Sequence, residues 1–503
     1  MNGVQLIAYA DRFGGGGLAG LRELLDGPLA GVFTGVHILP FYRPHDGADA
    51  GFDPIDHTTV DPRLGSWGDV SDLAREYDIT ADLIVNHVSN RSTEFLDFLE
   101  HGSESRFAPM FLSRDSVFPE GATDEDLARI YRPRPGSPLT LATFADGAQR
   151  LLWTTFTASQ IDIDVSDPVG RGYLERVLDH LAAAGVGQVR LDAVGYAVKT
   201  PGTSCFMTPQ TYEFIDDLAA SVRERGMSVL VEIHAHHSVQ QEMARRVDRV
   251  YDFALPPLVL HALHEGTNDR LRDWLAVSPR NTVTVLDTHD GIGIVDVGPE
   301  GETAGLLSGA ELGRLVERIH ESSGGESREA TGAAASNLDL YQVNCTYYSA
   351  LGCDDARYLA ARVIQLFSPG VPQVYYAGLL AARNDMTLLR RTGVGRDINR
   401  PWFDRAEIDR ELVRPVVRAL IGLLRFRDTH PAFSGDFRVL PSERHELRLR
   451  WDRSDDYAEA LVDLRAGEAE ITASTGSPES MVIGSTDLET FFSGPGGSAR
   501  PDR

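Results

Sequence analysis

The sequence predicts an α/β fold: a (β/α)8 TIM barrel with inserted subdomains after strands 3 and 7 and a small C-terminal β domain. Three observations predict it. Eight short apolar, β-branched runs are separated by amphipathic helical stretches, the alternation expected of βαβ units around a parallel sheet. The chain has 503 residues, about twice the roughly 250 such a barrel needs, so the surplus must lie in insertions or an added domain. Two long stretches interrupt the alternation, and after about Phe433 the pattern turns to short alternating segments such as Leu447-Arg448-Leu449-Arg450-Trp451.

The eight runs follow in order. Val4–Ala8 reads as the first strand, with a helix over Gly20–Leu25 behind it, and Gly35–Pro40 as the second. Ile79–Asn86, Val186–Asp192 and Ser228–Glu232 are the third to fifth, and Val250–Ala254, Thr282–Leu286 and Val371–Tyr376 complete the set. Tyr173–Ala184 and Pro209–Glu224 carry helical periodicity between them. The barrel is therefore expected over 1–86, 168–290 and 356–434. Residues 87–167, with the turn-rich Arg132-Pro133-Arg134-Pro135-Gly136, form one inserted subdomain, and 291–355 form the other. Residues 435–503 are left for the β domain and a Gly- and Pro-rich tail expected to be disordered. Gly14–Gly17 lacks the Lys-Ser/Thr of a phosphate loop and reads as a flexible connection.

Composition excludes several function classes. A net charge of −26 argues against nucleic acid and anionic membrane partners, which are bound through basic patches. No run approaches the roughly 18 apolar residues of a membrane span. Met1-Asn2-Gly3-Val4 opens no signal peptide, so the cytoplasm is the expected location. Cys205, Cys345 and Cys353 are too few for a disulfide framework and lack metal-ligand spacing, so they are expected to be buried and inert. Basic residues are almost all arginine: Lys199 is the single lysine among 48, a bias that a GC-rich genome explains.

In a barrel, side chains at the C-terminal strand ends face the active site. That rule selects a few of the 74 carboxylates. Asp192 ends the fourth strand, Glu232 the fifth, Asp290 follows the seventh, and His87 follows the third. Any one of them reads equally as a cap or a loop hydrogen bond. Three on three strands, with Arg190, His87 and His289 among them, read as a site, because burying charge is costly unless it is paired. Arg190 lies on the same side of its strand as Asp192, two residues on; it is expected to hold that carboxylate ionised and lower its pKa. A plain ion pair in the barrel core is the alternative. An ionised carboxylate and a protonated one fit retaining glycosidic chemistry.

Four ordered segments carry a family resemblance: Asp82–His87 (DLIVNH), Val189–Val194 (VRLDAV), Val231–His234 (VEIH) and Val285–Asp290 (VLDTHD). The chain resembles the α-amylase superfamily of glycoside hydrolases. Gly35–Asp56, Ile130–Gly136, Gly202–Pro209, Val250–Pro257 and Thr331–Asn344 look closer still to its retaining phosphorylase group. The likeness covers roughly residues 1–430 and fades over the last 70.

By that resemblance Asp192 is the nucleophile, Glu232 the general acid/base and Asp290 the transition-state stabiliser. His87 and His289 would bind glucosyl hydroxyls, and Arg190 would brace the nucleophile. Asp49 and Arg396 would clasp the far side of the sugar, with Phe52 and Phe156 as apolar faces; core packing is the bland reading of both rings. Gln160, Tyr196 and His234 are rim candidates. His236 and His237 read as surface-loop residues, and the His-Ala-His-His run departs from the aromatic residues of the family. Arg134, Asp339, Tyr341 and Gln342 would meet the second substrate, the loops around Arg134 and Tyr341 serving fructose and phosphate in turn. The implied reaction turns sucrose and inorganic phosphate into α-D-glucose 1-phosphate and fructose through a covalent glucosyl-enzyme. No metal or organic cofactor is called for. Related phosphorylases of sucrose 6′-phosphate, glucosylglycerol or glucosylglycerate, a hydrolase or transglucosidase, and a non-catalytic sugar-binding barrel are the competing readings. Sugars or polyols would be the acceptors, and the resemblance suggests a homodimer.

Overall fold

The computed structural model describes residues 3–46, 49–132, 136–332 and 341–474, and the backbone of 480–484. Eight parallel strands close a barrel: β1 (Gln5–Ala8), β2 (Gly35–Ile38), β3 (Asp78–Ile84), β4 (Gln188–Asp192), β5 (Ser228–Val231), β6 (Arg249–Asp252), β7 (Thr282–Thr284) and β8 (Val371–Tyr375). Each pairs with its neighbour in this order and β1 closes on β8. These are the eight runs of the sequence. They are almost wholly buried, as strands covered on both faces must be.

The interior of the barrel is filled by paired polar groups. Near the floor, Gln373 donates to Gln5 at 2.9 Å and Tyr251 to Gln373 at 3.2 Å. Thr80 donates to Gln188, which donates to Ser228. Register then stacks charge above this layer: Arg190 on β4 sits beside Asp82 on β3. His37 lies 2.9 Å from Asp82 on its other side. Gly35 permits the close packing, since a Cβ there would lie 3.0 Å from the backbone of Asp78 and from the Gln5 side chain.

Outside the barrel, Pro168–Ala183 and Pro209–Glu224 begin with proline after an Asp or Thr N-cap, the expected helix-start chemistry. Both bury an apolar face. After β3, the strand His87–Ser89 pairs antiparallel with Gln160–Asp162. After β7, Ile292–Gly293 pairs antiparallel with Gln342–Val343. The two long excursions thus return over the barrel mouth as short ribbons. At the C-terminus, β9 (Asp436–Leu440), β10 (Glu446–Arg453), β11 (Asp456–Asp463), β12 (Glu468–Ser474) and β13 (Ser480–Gly484) form an antiparallel meander. The indole of Trp451 fixes it by donating to the Phe367 carbonyl at 2.8 Å. No helix among the described residues is long and apolar enough to cross a membrane.

Candidate active site

A narrow cavity of about 70 Å³ opens at the C-terminal mouth. Its walls bring together Asp49, Phe52, His87, Phe156, Asp192, Tyr196, Glu232, His289, Asp290, Tyr341 and Arg396. Arg134 and Asp339 lie outside the described residues.

β4 delivers Asp192, whose Oδ1 accepts from Arg190 Nη1 at 2.8 Å. The same Nη1 lies 2.5 Å from Asp82. The next residue, Ala193, is left-handed with φ 53°, a costly conformation for a residue with a Cβ. It turns the chain so that the Ala193 N–H points to Glu232 at 3.4 Å. Glu232 follows β5 and lies 3.6 Å from His234.

After β7, Asp290 is 2.6 Å from Arg396 and 3.7 Å from Arg400. Arg400 also donates to the His289 carbonyl at 2.8 Å and reaches Asp49 at 4.0 Å. The His289 ring stacks on Phe52, with centroids 4.5 Å apart and planes at 9°. His87 is bound at 2.9 Å to the Phe52 carbonyl and packs on Phe156.

Gln160 and Gln342 stand one layer back. Gln160 donates to Asp49 at 3.4 Å. Gln342 accepts from Arg396 and from the Gly291 amide, and its side-chain amide lies 3.2 Å from His234 Nε2. The other nitrogen of His234 is 2.9 Å from buried Asp296. Gly293 makes room for that pair, because a Cβ there would meet Asp296 at 2.2 Å.

With this geometry in hand, comparison with known proteins is decisive. Residues 8–270 match the α-amylase catalytic domain. The chain belongs to the α-amylase family. It is 57% identical to a sucrose phosphorylase of Agrobacterium vitis, over 94% of this chain and 97% of the relative. It is 54% identical to a sucrose phosphorylase of Bifidobacterium adolescentis, over 93% of each. Its fold superposes on the crystal structure of sucrose 6F-phosphate phosphorylase from Thermoanaerobacter thermosaccharolyticum with a TM-score of 0.89 at 37% identity, covering 96% of this chain and 97% of that one.

The electrostatics of this family site corrects one expectation. Burial pushes the Asp192 carboxyl well above the usual range; Arg190 opposes this, and Glu232 adds to it. Arg190 cannot hold Asp192 low because its charge is shared with Asp82, which it and His37 keep down at about 2 against burial. Asp290 behaves oppositely. Burial would raise it, but Arg396, His289 and Arg400 outweigh that and hold it far below the carboxylate range. Burial lowers the His289 imidazole to about 3, so it enters neutral pH uncharged.

A second correction concerns the His-Ala-His-His run. His236 is buried, not a surface-loop residue; its Nε2 lies 3.1 Å from the Ala304 carbonyl and its Nδ1 caps the short helix His237–Met243. Three contributors escaped the sequence reading: Arg400, Asp296 and the His37–Asp82 pair. Arg400 stands four residues after Arg396 in the same Gly-Arg-Asp-Ile-Asn-Arg run, and Asp82 opens the DLIVNH segment, so both carried a signal. Asp296 carried none. Ligand-capable atoms of Glu232, His234 and Asp290 lie within 4.8 Å of one another, near enough for one cation, but Arg396 and Arg400 beside Asp290 oppose positive charge there.

Proposed function

We propose that this chain catalyses the reversible phosphorolysis of sucrose to α-D-glucose 1-phosphate and D-fructose with retention. The observation that carries the reading is the near full-length similarity to two sucrose phosphorylases, in a chain whose strand ends gather Asp192, Glu232 and Asp290 around one pocket.

In the first step Asp192 attacks the anomeric carbon of the glucosyl unit. Glu232 gives its proton to the bridging oxygen, and fructose leaves. In the second step Glu232 takes a proton from phosphate as a phosphate oxygen displaces Asp192, releasing α-D-glucose 1-phosphate. Asp290, kept ionised by two guanidiniums, accepts sugar hydroxyls whose hydrogen bonds strengthen as positive charge develops on the ring. Neutral His289 and the His87 imidazole bind further hydroxyls, Asp49 with Arg396 closes the far end, and Phe52 and Phe156 cover the ring. Tyr196 and Tyr341, with Arg134 and Asp339, serve fructose and phosphate, while Gln342 and His234 support Arg396 from one layer back. We place the enzyme in the cytoplasm and as a homodimer, the latter to be read from its sedimentation mass.

The test is incubation of purified protein with sucrose, with and without phosphate. Phosphate-dependent α-D-glucose 1-phosphate is the expected product. Free glucose regardless of phosphate would make it a hydrolase. Silence on sucrose, with synthesis from glucose 1-phosphate and fructose 6-phosphate, glycerol or glycerate, would move it to a related phosphorylase.

A further inference from the structure

One buried charge has no part in this mechanism. Lys199, the sole lysine of the chain, follows β4 with its side chain only 1% exposed. Its Nζ lies 2.7 Å from Asp162 Oδ2. It donates to Asn86 Oδ1 at 2.8 Å and to the Tyr196 carbonyl. An ammonium has three N–H donors, and each has an acceptor here.

Each acceptor belongs to a segment that carries pocket residues. Asn86 lies two residues after β3 and precedes His87. Tyr196 lines the pocket itself. Asp162 stands opposite His87 in the ribbon and two residues after Gln160. Its carboxylate also accepts from Thr155, through the amide at 3.0 Å and the hydroxyl at 2.5 Å, immediately before Phe156. The Thr155 carbonyl in turn accepts from Arg132 at 3.0 Å, at the root of the Arg-Pro-Arg-Pro segment. One ammonium therefore joins three stretches of chain behind His87, Phe156 and Tyr196.

We propose that Lys199 is a positioning residue, its ammonium joining Asp162, Asn86 and Tyr196 to fix the pocket wall of His87, Phe156 and Tyr196 against the glucosyl group. The composition supports this. Arginine occupies every other basic position, yet a planar guanidinium cannot direct three donors to three converging acceptors from one compact centre, as an ammonium does. The exception to the arginine bias stands where that shape is needed.

The proposal rests on sucrose phosphorolysis for its substrate, and it is tested with K199R, K199M and the charge-neutral pair K199M/D162N. Expected is a fall of tenfold or more in kcat on sucrose in all three, with KM changed less than threefold. K199R keeps the charge and the double variant removes the unpaired carboxylate, so a role in stability alone would leave kcat intact in one or both and move only the melting temperature. A folded double variant within twofold of the wild-type kcat overturns the proposal. If none of the variants folds, the intact protein decides, because [ε-13C]lysine labelling yields one side-chain resonance. That resonance should shift on saturation with glucose, and an unmoved resonance overturns the proposal. Wild-type protein inactive on sucrose would instead defeat the functional reading, while the glucose titration still reads the wall.

Discussion

The two halves of the pocket solve the same problem differently. On the β4–β5 side, Asp82, Asp192 and Glu232 gather around one guanidinium, Arg190. On the β7 side, Asp290 and Asp49 face two, Arg396 and Arg400. Burial is alike, yet Asp192 is pushed up and Asp290 down. Burial raises both carboxyls, and the balance of neighbouring charge decides whether that rise stands. In the proposed mechanism, the side left short of positive charge is the one where a proton moves and a covalent bond forms, and the balanced side holds an anion for sugar hydroxyls.

Removing the nucleophile tests this contrast most severely. D192A should lose about 10⁴-fold or more in kcat for phosphorolysis, as loss of a covalent nucleophile does. E232Q should be similarly impaired on sucrose but recover much of its first-step rate on α-glucosyl fluoride, whose leaving group needs no proton. Comparable loss on both substrates would take the acid role from Glu232.

The second test strips each half of an arginine. R190M leaves Asp82 and Asp192 buried side by side without their shared cation, so unfolding free energy should fall by about 3–5 kcal/mol. D82N added to it should restore part of that in a urea titration. R396M removes a side chain that is 26% exposed, so stability should change little. Its cost should fall on sucrose binding instead, with KM up about tenfold, the worth of one charge-assisted hydrogen bond. Equal effects of the two substitutions on stability would erase the distinction between the halves.

How far this was legible in the sequence follows the same division. All eight barrel strands could be read because each is a short, largely apolar run set between helical stretches, and side chains at the C-terminal strand ends face the mouth. Asp192, Glu232 and Asp290 were found by that rule. What escaped reading depends on returns from far along the chain. Arg400 reaches Asp49 and Asp290 from beyond β8, and Asp296 reaches His234 from the second excursion. Periodicity carries no information about such pairings. The direction of the Asp192 shift was misread because Arg190 was assigned to one carboxylate, when the β3–β4 register gives it two. Arg134 and Asp339 lie outside the described residues.

The smallest effect sharpens the contrast most. As the proposed nucleophile Asp192 must be ionised to attack, so the acid limb of kcat/KM should follow its titration. Burial raises that carboxyl, Arg190 opposes, and Glu232 raises it further. E232Q replaces the carboxyl that raises Asp192 with an uncharged amide of the same shape, so Asp192 should lose its proton at lower pH. With α-glucosyl fluoride as substrate, the acid limb of E232Q should therefore lie to the acid side of the wild-type limb. Asp290 adds to the raising less than Glu232 does, so D290N should move the limb the same way by less. Loss of Arg190 should move it toward alkaline pH, because the opposing cation is gone. If E232Q leaves the limb where the wild type has it, burial alone governs Asp192, and the imbalance of charge between the two halves has no part in preparing the nucleophile.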